Sequence, residues 1–340
     1  MSKKVVISAE SISIGYSTTK KGDRNILYNN LNFDLYQGEL VCLLGANGAG
    51  KSTLLRTIST SQPVLNGQIS LYEKNIVSYS NKDISRNIGL VLTEKTSTGG
   101  LLVRELVELG RYPYTSFFGR LGKTDNEIVS KAMYDVGIGH KAESYVAELS
   151  DGERQKVMIA KALAQECPIV ILDEPTAFLD IESRIEIMNL LHHLAVSQDK
   201  TILLSTHDID VALLLADRLW LLSKENGLRC GTTEDIVLSG AIDNFFKKGN
   251  IEFNKETGSF LPIRNFDRKI YLSAENQTLY FWTKNLLLRN GFALTDNKSD
   301  SPLILDIRNE KCMELDAMDE NETKEFESFQ DLSDYIKSLK

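Results

Sequence analysis

Leu40-Val-Cys-Leu-Leu-Gly45-Ala-Asn-Gly-Ala-Gly-Lys51-Ser52 decides how this chain is read. Five apolar residues make a buried-strand candidate that runs straight into a glycine-rich turn. A helix is expected from near Lys51, with Leu54, Leu55 and Ile58 on one face. The turn fits GxxxxGK[ST]. Its glycines let successive backbone N–H groups point at phosphate oxygens, and the helix N-terminus adds partial positive charge. Lys51 is expected to reach the β- and γ-phosphates, and the Ser52 hydroxyl to ligate Mg²⁺. Gly45, Asn47, Gly48, Ala49, Gly50 and Thr53 complete the cradle. A chance match arises in on the order of one chain in a hundred at average composition, and the strand-to-helix context lowers that further.

Downstream, the apolar strand Pro168–Leu172 ends in Asp173-Glu174-Pro175. Asp173 can hold Mg²⁺ through water, and Glu174 can polarise an attacking water as general base. Without the glycine loop upstream, such a pair would more often be two solvated carboxylates at a strand end. With it, the catalytic reading prevails.

The rest of the composition sets limits. The 340 residues carry 39 Lys+Arg and 47 Asp+Glu, a net charge of −8, with 42% hydrophobic residues. That is ample material for a sizeable core and two domains, or one large domain with an appendage. The acidic balance argues against a protein that coats nucleic acid. Four widely spaced cysteines (Cys42, Cys167, Cys230, Cys312) without a CxxC pair suit a reducing cytosol. The start has two lysines but no apolar stretch of signal-peptide length, and no run approaches the roughly 20 apolar residues that span a bilayer. The expectation is a protein that does not cross a membrane by itself.

Around the central loop, Val5–Ser8, Ser11–Gly15 and Leu31–Leu35 read as short strands, with a polar turn at Ser17–Arg24. Thr201–Ser205 is a further strand, ending at Thr206-His207-Asp208. Helices are expected at Glu127–Val136, Gly152–Gln165, Ile181–Leu194 and Val211–Ala216. Alternating strands and helices argue for a mostly parallel sheet covered on both faces. The insertion between Leu92 and Cys167 has no convincing strand and reads as a helical subdomain, about residues 95–165. From Asn265 to Lys340 the chain holds 15 Asp+Glu and 10 Lys+Arg, a net −5 of the total −8. Strands at Lys269–Leu272 and Leu303–Ile307, a helix at Thr278–Arg289, and Met313–Met318 and Phe326–Leu339 make this a small α+β unit of unknown role.

A third motif gives these residues a family. Leu149-Ser150-Asp151-Gly152-Glu153-Arg154-Gln155 resembles the LSGGQ signature of the ATP-binding cassette (ABC) ATPases, ahead of the Asp-Glu strand and at a helix start. The resemblance covers about residues 5–264. It implies a P-loop NTPase cassette of α/β class, with a mixed sheet core and a helical signature subdomain in residues 1–264, followed by the 265–340 extension. It implies ATP and Mg²⁺ as cofactors, and a head-to-tail homodimer in which Ser150, Gly152 and Glu153 cap the γ-phosphate held by the partner's glycine loop. Tyr16 matches the aromatic residue that stacks on adenine, Asp180 the residue coupling the two sites, and His207 the switch histidine at the γ-phosphate. Standing alone, Tyr16 would read as a strand-face tyrosine and His207 as a structural histidine. Two positions depart from the pattern. Thr93, with Glu94 after it, stands where the family usually has a metal-binding glutamine, and Asp151 replaces a glycine near an anion site.

Gly110-Arg-Tyr-Pro-Tyr-Thr-Ser-Phe-Phe-Gly-Arg-Leu121 resembles cassettes that energise uptake of iron–siderophore complexes, haem or cobalamin, and Gly249–Ile263 resembles the usual close of that branch. The implied partners are integral-membrane permease subunits and, indirectly, an extracytoplasmic substrate-binding protein. The implied location is the cytoplasmic face of the cell membrane. Tyr112, Tyr114, Phe117 and Phe118 would form an exposed docking cluster, or else pack the subdomain core. Two other readings stay open: a soluble cassette ATPase acting on ribosomes, DNA or iron–sulfur assembly, and a nucleotide-bound interaction module with little hydrolysis.

Overall fold

The computed structural model describes residues 3–17, 24–92, 100–116, 119–246, 251–263, 266, 268–317 and 322–339. They fall into two compact units, Met1–Leu261 and Pro262–Lys340.

In the first unit, β1 (Val5–Ser17) and β2 (Arg24–Tyr36) are thirteen residues each and pair antiparallel. They are longer than the fragments expected from the sequence. Their pairing shifts register repeatedly, and Ser11 and Asn30 take φ of 49° and 56°. Bulges of this kind break the two-residue alternation, which is why one continuous ribbon reads as several short strands. Next come β3 (Leu40–Leu44), α1 (Lys51–Ile58), β4 (Asn66–Leu71), β5 (Lys74–Asn75), α2 (Asn81–Asn87) and β6 (Ile88–Val91). The helical subdomain holds α3 (Val103–Glu108), α4 (Lys123–Asp135) and α5 (Asp151–Ala164). After it come β7 (Ile169–Leu172), α6 (Ile181–Gln198), β8 (Thr201–Ser205), α7 (Ile209–Leu215), β9 (Arg218–Ser223), β10 (Gly227–Thr232), α8 (Thr233–Leu238), α9 (Ala241–Phe246), β11 (Ile251–Asn254) and β12 (Ser259–Pro262).

Among the described residues, the central sheet has the order β10-β9-β3-β8-β7-β6, and a second sheet the order β2-β1-β4-β5. Strands β9, β3, β8, β7 and β6 run parallel, with β10 antiparallel at the edge. Side chains of β3 and β7 alternate between two cores. Leu40, Cys42, Leu44, Val170 and Leu172 join the helical side, while Val41, Leu43, Ile169 and Ile171 pack toward the second sheet. Burial on both faces explains why these strands are continuous apolar runs. Because β3, β7 and β8 are parallel and in register, with Leu43 beside Ser205 and Leu172 beside Leu204, they end at the same edge. The glycine loop, the Asp173–Glu174 pair and His207 therefore emerge together, outside the carboxyl ends of the strands, where ligands bind in α/β sheets.

The second unit has β13 (Arg268–Ala274), α10 (Gln277–Arg289), β14 (Phe292–Thr295), β15 (Leu303–Asn309), β16 (Cys312–Ala317), β17 (Glu322–Phe326) and α11 (Phe329–Ser338). The sheet order is β14-β13-β15-β16-β17; β13 is parallel to β14 and β15, and the remaining pairs are antiparallel. Ile270, Leu272, Leu305, Ile307, Met313 and Leu315 form one apolar face that packs with Leu286 and Leu287 of α10 and with Leu332 and Ile336 of α11. Asn276 and Ser328 cap the two helices through the N–H groups of Leu279 and Asp331. The unit thus has a core of its own.

Candidate functional site

The cradle is set by backbone geometry. Gly48 and Gly50 take φ of 73° and 95°, a region where a side chain costs roughly 1–2 kcal/mol. At Gly50 a Cβ would also come within 3.2 Å of the Tyr28 ring. The Tyr28 hydroxyl donates to the Ala49 carbonyl at 2.6 Å and so ties the loop to β2. Lys51, 5% exposed, turns its Nζ toward the Gly45 carbonyl (3.0 Å), His207 Nε2 (3.0 Å) and Glu174 Oε1 (3.4 Å). Burial lowers the Lys51 pKa, and the Glu174 and Asp173 charges work against that shift. Ser52 is exposed at the first turn of α1, whereas Thr53 is buried. The Thr53 hydroxyl and the Tyr16 hydroxyl lie 2.6 Å apart, so Tyr16 is anchored beside the loop with half its surface still open.

Asp173 is buried at the end of β7, and its Oδ1 accepts from the Ser205 hydroxyl at 2.7 Å. The same oxygen of Ser205 accepts the Glu174 N–H at 2.9 Å. Glu174 takes φ of 48°, an uncommon conformation for a residue with a side chain, and aims Oε1 at His207 Nε2, 2.8 Å away. The imidazole Nε2 can accept from Lys51 or donate to Glu174, but it cannot do both at once.

Ser150, Gly152, Glu153 and Asp180 form a separate group. Ser150 caps α5 by accepting the Glu153 N–H, and Glu153 Oε2 accepts the Ser150 N–H at 2.9 Å, a reciprocal capping box. That backbone bond, more than anything else, holds the Glu153 carboxyl below its ordinary pKa. The Asp151 carboxylate pairs with Arg154, three residues on, at 3.0 Å. Asp180 caps α6 through the Ser183 N–H at 2.8 Å, and a Cβ on Gly152 would lie 3.0 Å from Ser183 Oγ. The first turns of α5 and α6 are therefore neighbours. Among the described residues, no hydrogen bond or ion pair joins this group to the glycine loop of its own chain. Thr93 and Glu94 lie outside the described residues.

Some of the supporting residues gave no sequence signal. Asp208 accepts from Thr176 (2.7 Å) and Arg184 (2.9 Å), and Arg184 also donates to the Leu179 carbonyl (2.7 Å). This network joins the turn before Asp180 to the residue after His207. Within the 110–121 stretch, Tyr112 is 78% exposed. Tyr114 is half-buried between the Arg86 and Arg111 guanidiniums, 5.0 and 4.1 Å from its ring centroid, and donates to the Gln165 carbonyl. Of the two readings, an open cluster or packing within the subdomain, Tyr112 fits the first and Tyr114 the second. Phe117 and Phe118 lie outside the described residues.

The ABC transporter family model matches residues 28–177, and the iron ABC transporter C-terminal domain model matches residues 267–337. An uncharacterized ABC transporter ATP-binding protein of Methanocaldococcus jannaschii is 35% identical over 271 residues, which is 78% of this chain and 91% of that protein. The chain belongs to the ABC transporter ATP-binding proteins. It is also 36% identical to the iron(3+)-hydroxamate import ATP-binding protein of Bacillus subtilis, over 71% of this chain and 87% of that one. Among solved structures, an inward-facing metal-chelate type ABC transporter matches with TM-score 0.63 and 28% identity, over 77% and 98% of the chains. A dimeric bacterial ABC transporter cassette matches with TM-score 0.58 and 25% identity, over 67% and 98%. As a member of the family, this cassette binds ATP and is the ATP-hydrolysing subunit of a transporter, working with a permease. The second unit, which resembled nothing at the sequence level, matches a domain model of iron transporters. In the described residues no helix is long and apolar enough to cross a membrane.

Proposed function

We propose that this cassette powers import of an iron chelate (siderophore), of haem or of cobalamin, from the cytoplasmic face of the membrane. The observation that supports hydrolysis best is the cluster of Lys51, Glu174 and His207 within 3.4 Å of one another at the end of the parallel strands. Iron-chelate import rests on the relatives' names and on the iron-transporter domain model at 267–337. Residues 1–264 serve as the ATP-binding domain, with the helical subdomain at about 95–165, and 265–340 are appended to it.

The loop N–H groups and Lys51 hold the β- and γ-phosphates, and Tyr16 offers its ring to adenine. Glu174 takes a proton from the attacking water while His207 holds the γ-phosphate end in line. Ser52 and Asp173 supply hard oxygen donors of the kind Mg²⁺ prefers and would hold it; the ion, when bound, neutralises charge on the phosphate oxygens. Ser150, Gly152 and Glu153 act on the nucleotide of a second copy, in a head-to-tail homodimer coupled through Asp180. The permease that this homodimer drives receives its cargo from an extracytoplasmic binding protein.

Glu174→Gln should keep ATP binding and ATP-dependent dimerisation while turnover falls by about 10²–10⁴-fold; unchanged hydrolysis would remove Glu174 as the base. Gentle detergent extraction of the tagged variant, with mass spectrometry, should recover a polytopic permease in about equal amount. Ribosomal proteins instead of a permease would overturn the import reading.

A further inference from the structure

Glu174 and His207 leave the adjacent parallel strands β7 and β8 on two short turns. Their side chains meet at 2.8 Å but are 30% and 43% open to solvent. A pair this exposed adds little to stability and does not hold its own geometry. A base and a phosphate-holding imidazole work only while that geometry is kept, since a misplacement of about 1 Å costs up to about a hundredfold in rate. The distance between the two turns therefore has to be fixed from behind the pair.

Asp208 stands where it can do this. It follows His207 and precedes the first residue of α7, a place where an aspartate ordinarily accepts N–H groups of its own helix. Here its carboxylate makes no such cap bond. Both oxygens reach across instead: Oδ2 accepts from the Thr176 hydroxyl at 2.7 Å, and Oδ1 from Arg184 at 2.9 Å. On its own side, the Asp208 N–H donates to the Thr206 hydroxyl at 3.0 Å. Thr176 is two residues after Glu174 and Asp208 one after His207, so the Thr176–Asp208 bond is a second rung beside the Glu174–His207 contact. Arg184 closes the frame from α6. Its Nε donates to the Leu179 carbonyl at 2.7 Å while the same guanidinium reaches Asp208. One rigid plane thus joins the far end of the Glu174 turn to the carboxylate.

We infer that Arg184 is a positioning residue for ATP hydrolysis: through the Asp208 carboxylate it holds the turn that carries Glu174 against the turn that carries His207. The inference rests on the roles proposed above for those two residues. Chemistry decides which side chain can serve. A guanidinium presents its N–H donors in a fixed planar fork, whereas lysine carries one ammonium on a flexible stem. Lysine at position 184 would keep the charge but not hold the Leu179 carbonyl and the Asp208 carboxylate in one plane. The Arg184–Asp208 pair is itself partly open, 38% and 22% exposed, so its loss takes little from the stability of the fold. Its effect falls on the chemical step. None of these bonds involves the glycine loop, so nucleotide affinity stays as it is.

The test uses the full-length chain and measures steady-state ATPase rate, affinity for a fluorescent ATP analogue and thermal unfolding for each variant. Arg184→Lys and Asp208→Asn should each lower kcat by roughly ten- to a hundredfold, the scale of a small misplacement, with ATP affinity and unfolding midpoint nearly unchanged. Thr176→Val should behave alike, and Thr176→Ser, which keeps the hydroxyl, should recover most of the rate. In a Glu174→Gln background, Arg184→Lys should lower the residual rate no further, because no base is left to place. Arg184→Lys at the parent's kcat would overturn the inference. So would a loss by the same factor in the Glu174→Gln background, or a kcat loss matched by a fall in ATP affinity or unfolding temperature. A Glu174→Gln chain that hydrolyses ATP at the parent's rate would instead overturn the reading of Glu174 and this inference with it.

Discussion

Ser205 is one hydroxyl serving two carboxylate residues, accepting the Glu174 N–H and donating to Asp173. Ser205→Ala removes the hydroxyl that the Glu174 N–H and Asp173 Oδ1 share. It should cost about 1–3 kcal/mol of stability and lower kcat more than it raises KM, read by thermal unfolding and steady-state ATPase assays. Tyr28→Phe removes the bond to the Ala49 carbonyl and nothing else. It should cost about 1 kcal/mol and raise the ATP KM several-fold with a smaller change in kcat. The placement of Lys51, Asp173 and Glu174 at one strand edge was legible in the sequence because local pattern marks it: a glycine spacing, then a strand that stops at two acids. Ser205 and Tyr28 were not. They matter through partners 31 and 21 residues away, and nothing adjacent to them in the chain records those partners.

At the scale of elements, α5 begins on a capping box whose Glu153 carboxyl has its pKa lowered on folding, first by the Ser150 N–H bond. A depressed carboxyl contributes stability above its unfolded pKa of about 4.3 and loses it as pH falls through the lower folded value. Amide protection over 150–154 should therefore drop below about pH 4, as read by hydrogen exchange, and Glu153→Gln should flatten that pH dependence. At Gly110, a Cβ would meet the Lys161 carbonyl at 2.2 Å. Gly110→Ala should force the 109–114 turn off α5 and cost about 1–3 kcal/mol, as overpacked sites do. The signature and its helix were readable from Ser150 to Gln165 because cap and periodicity agree. The long β1–β2 ribbon was not, because bulges interrupt its alternation. The sequence leaves Tyr114 between surface and core because its two arginine neighbours, Arg86 and Arg111, pack around it only in the fold.

At the scale of the molecule, each unit has its own core, and the small one depends on few residues. Leu305, fully buried on the β15 face, belongs to that small core. Leu305→Ala should cost about 2–5 kcal/mol within that unit. Calorimetry should show this as a lowered transition for Pro262–Lys340, with the ATPase rate at 25 °C retained. The α+β pattern of this unit was visible as strand and helix periodicity, but its relation to iron transporters was not, since no catalytic spacing marks it.

Glu174 also sets the cassette's catalytic demands against its robustness. Its left-handed backbone, at φ 48°, holds roughly 1–2 kcal/mol of strain that a glycine would release, at the loss of the carboxylate proposed above to take the proton. A selection for heat resistance alone should therefore drift toward inactive chains at this position. A thermostabilised variant of this ATPase is worth having only if the screen that finds it also counts phosphate released.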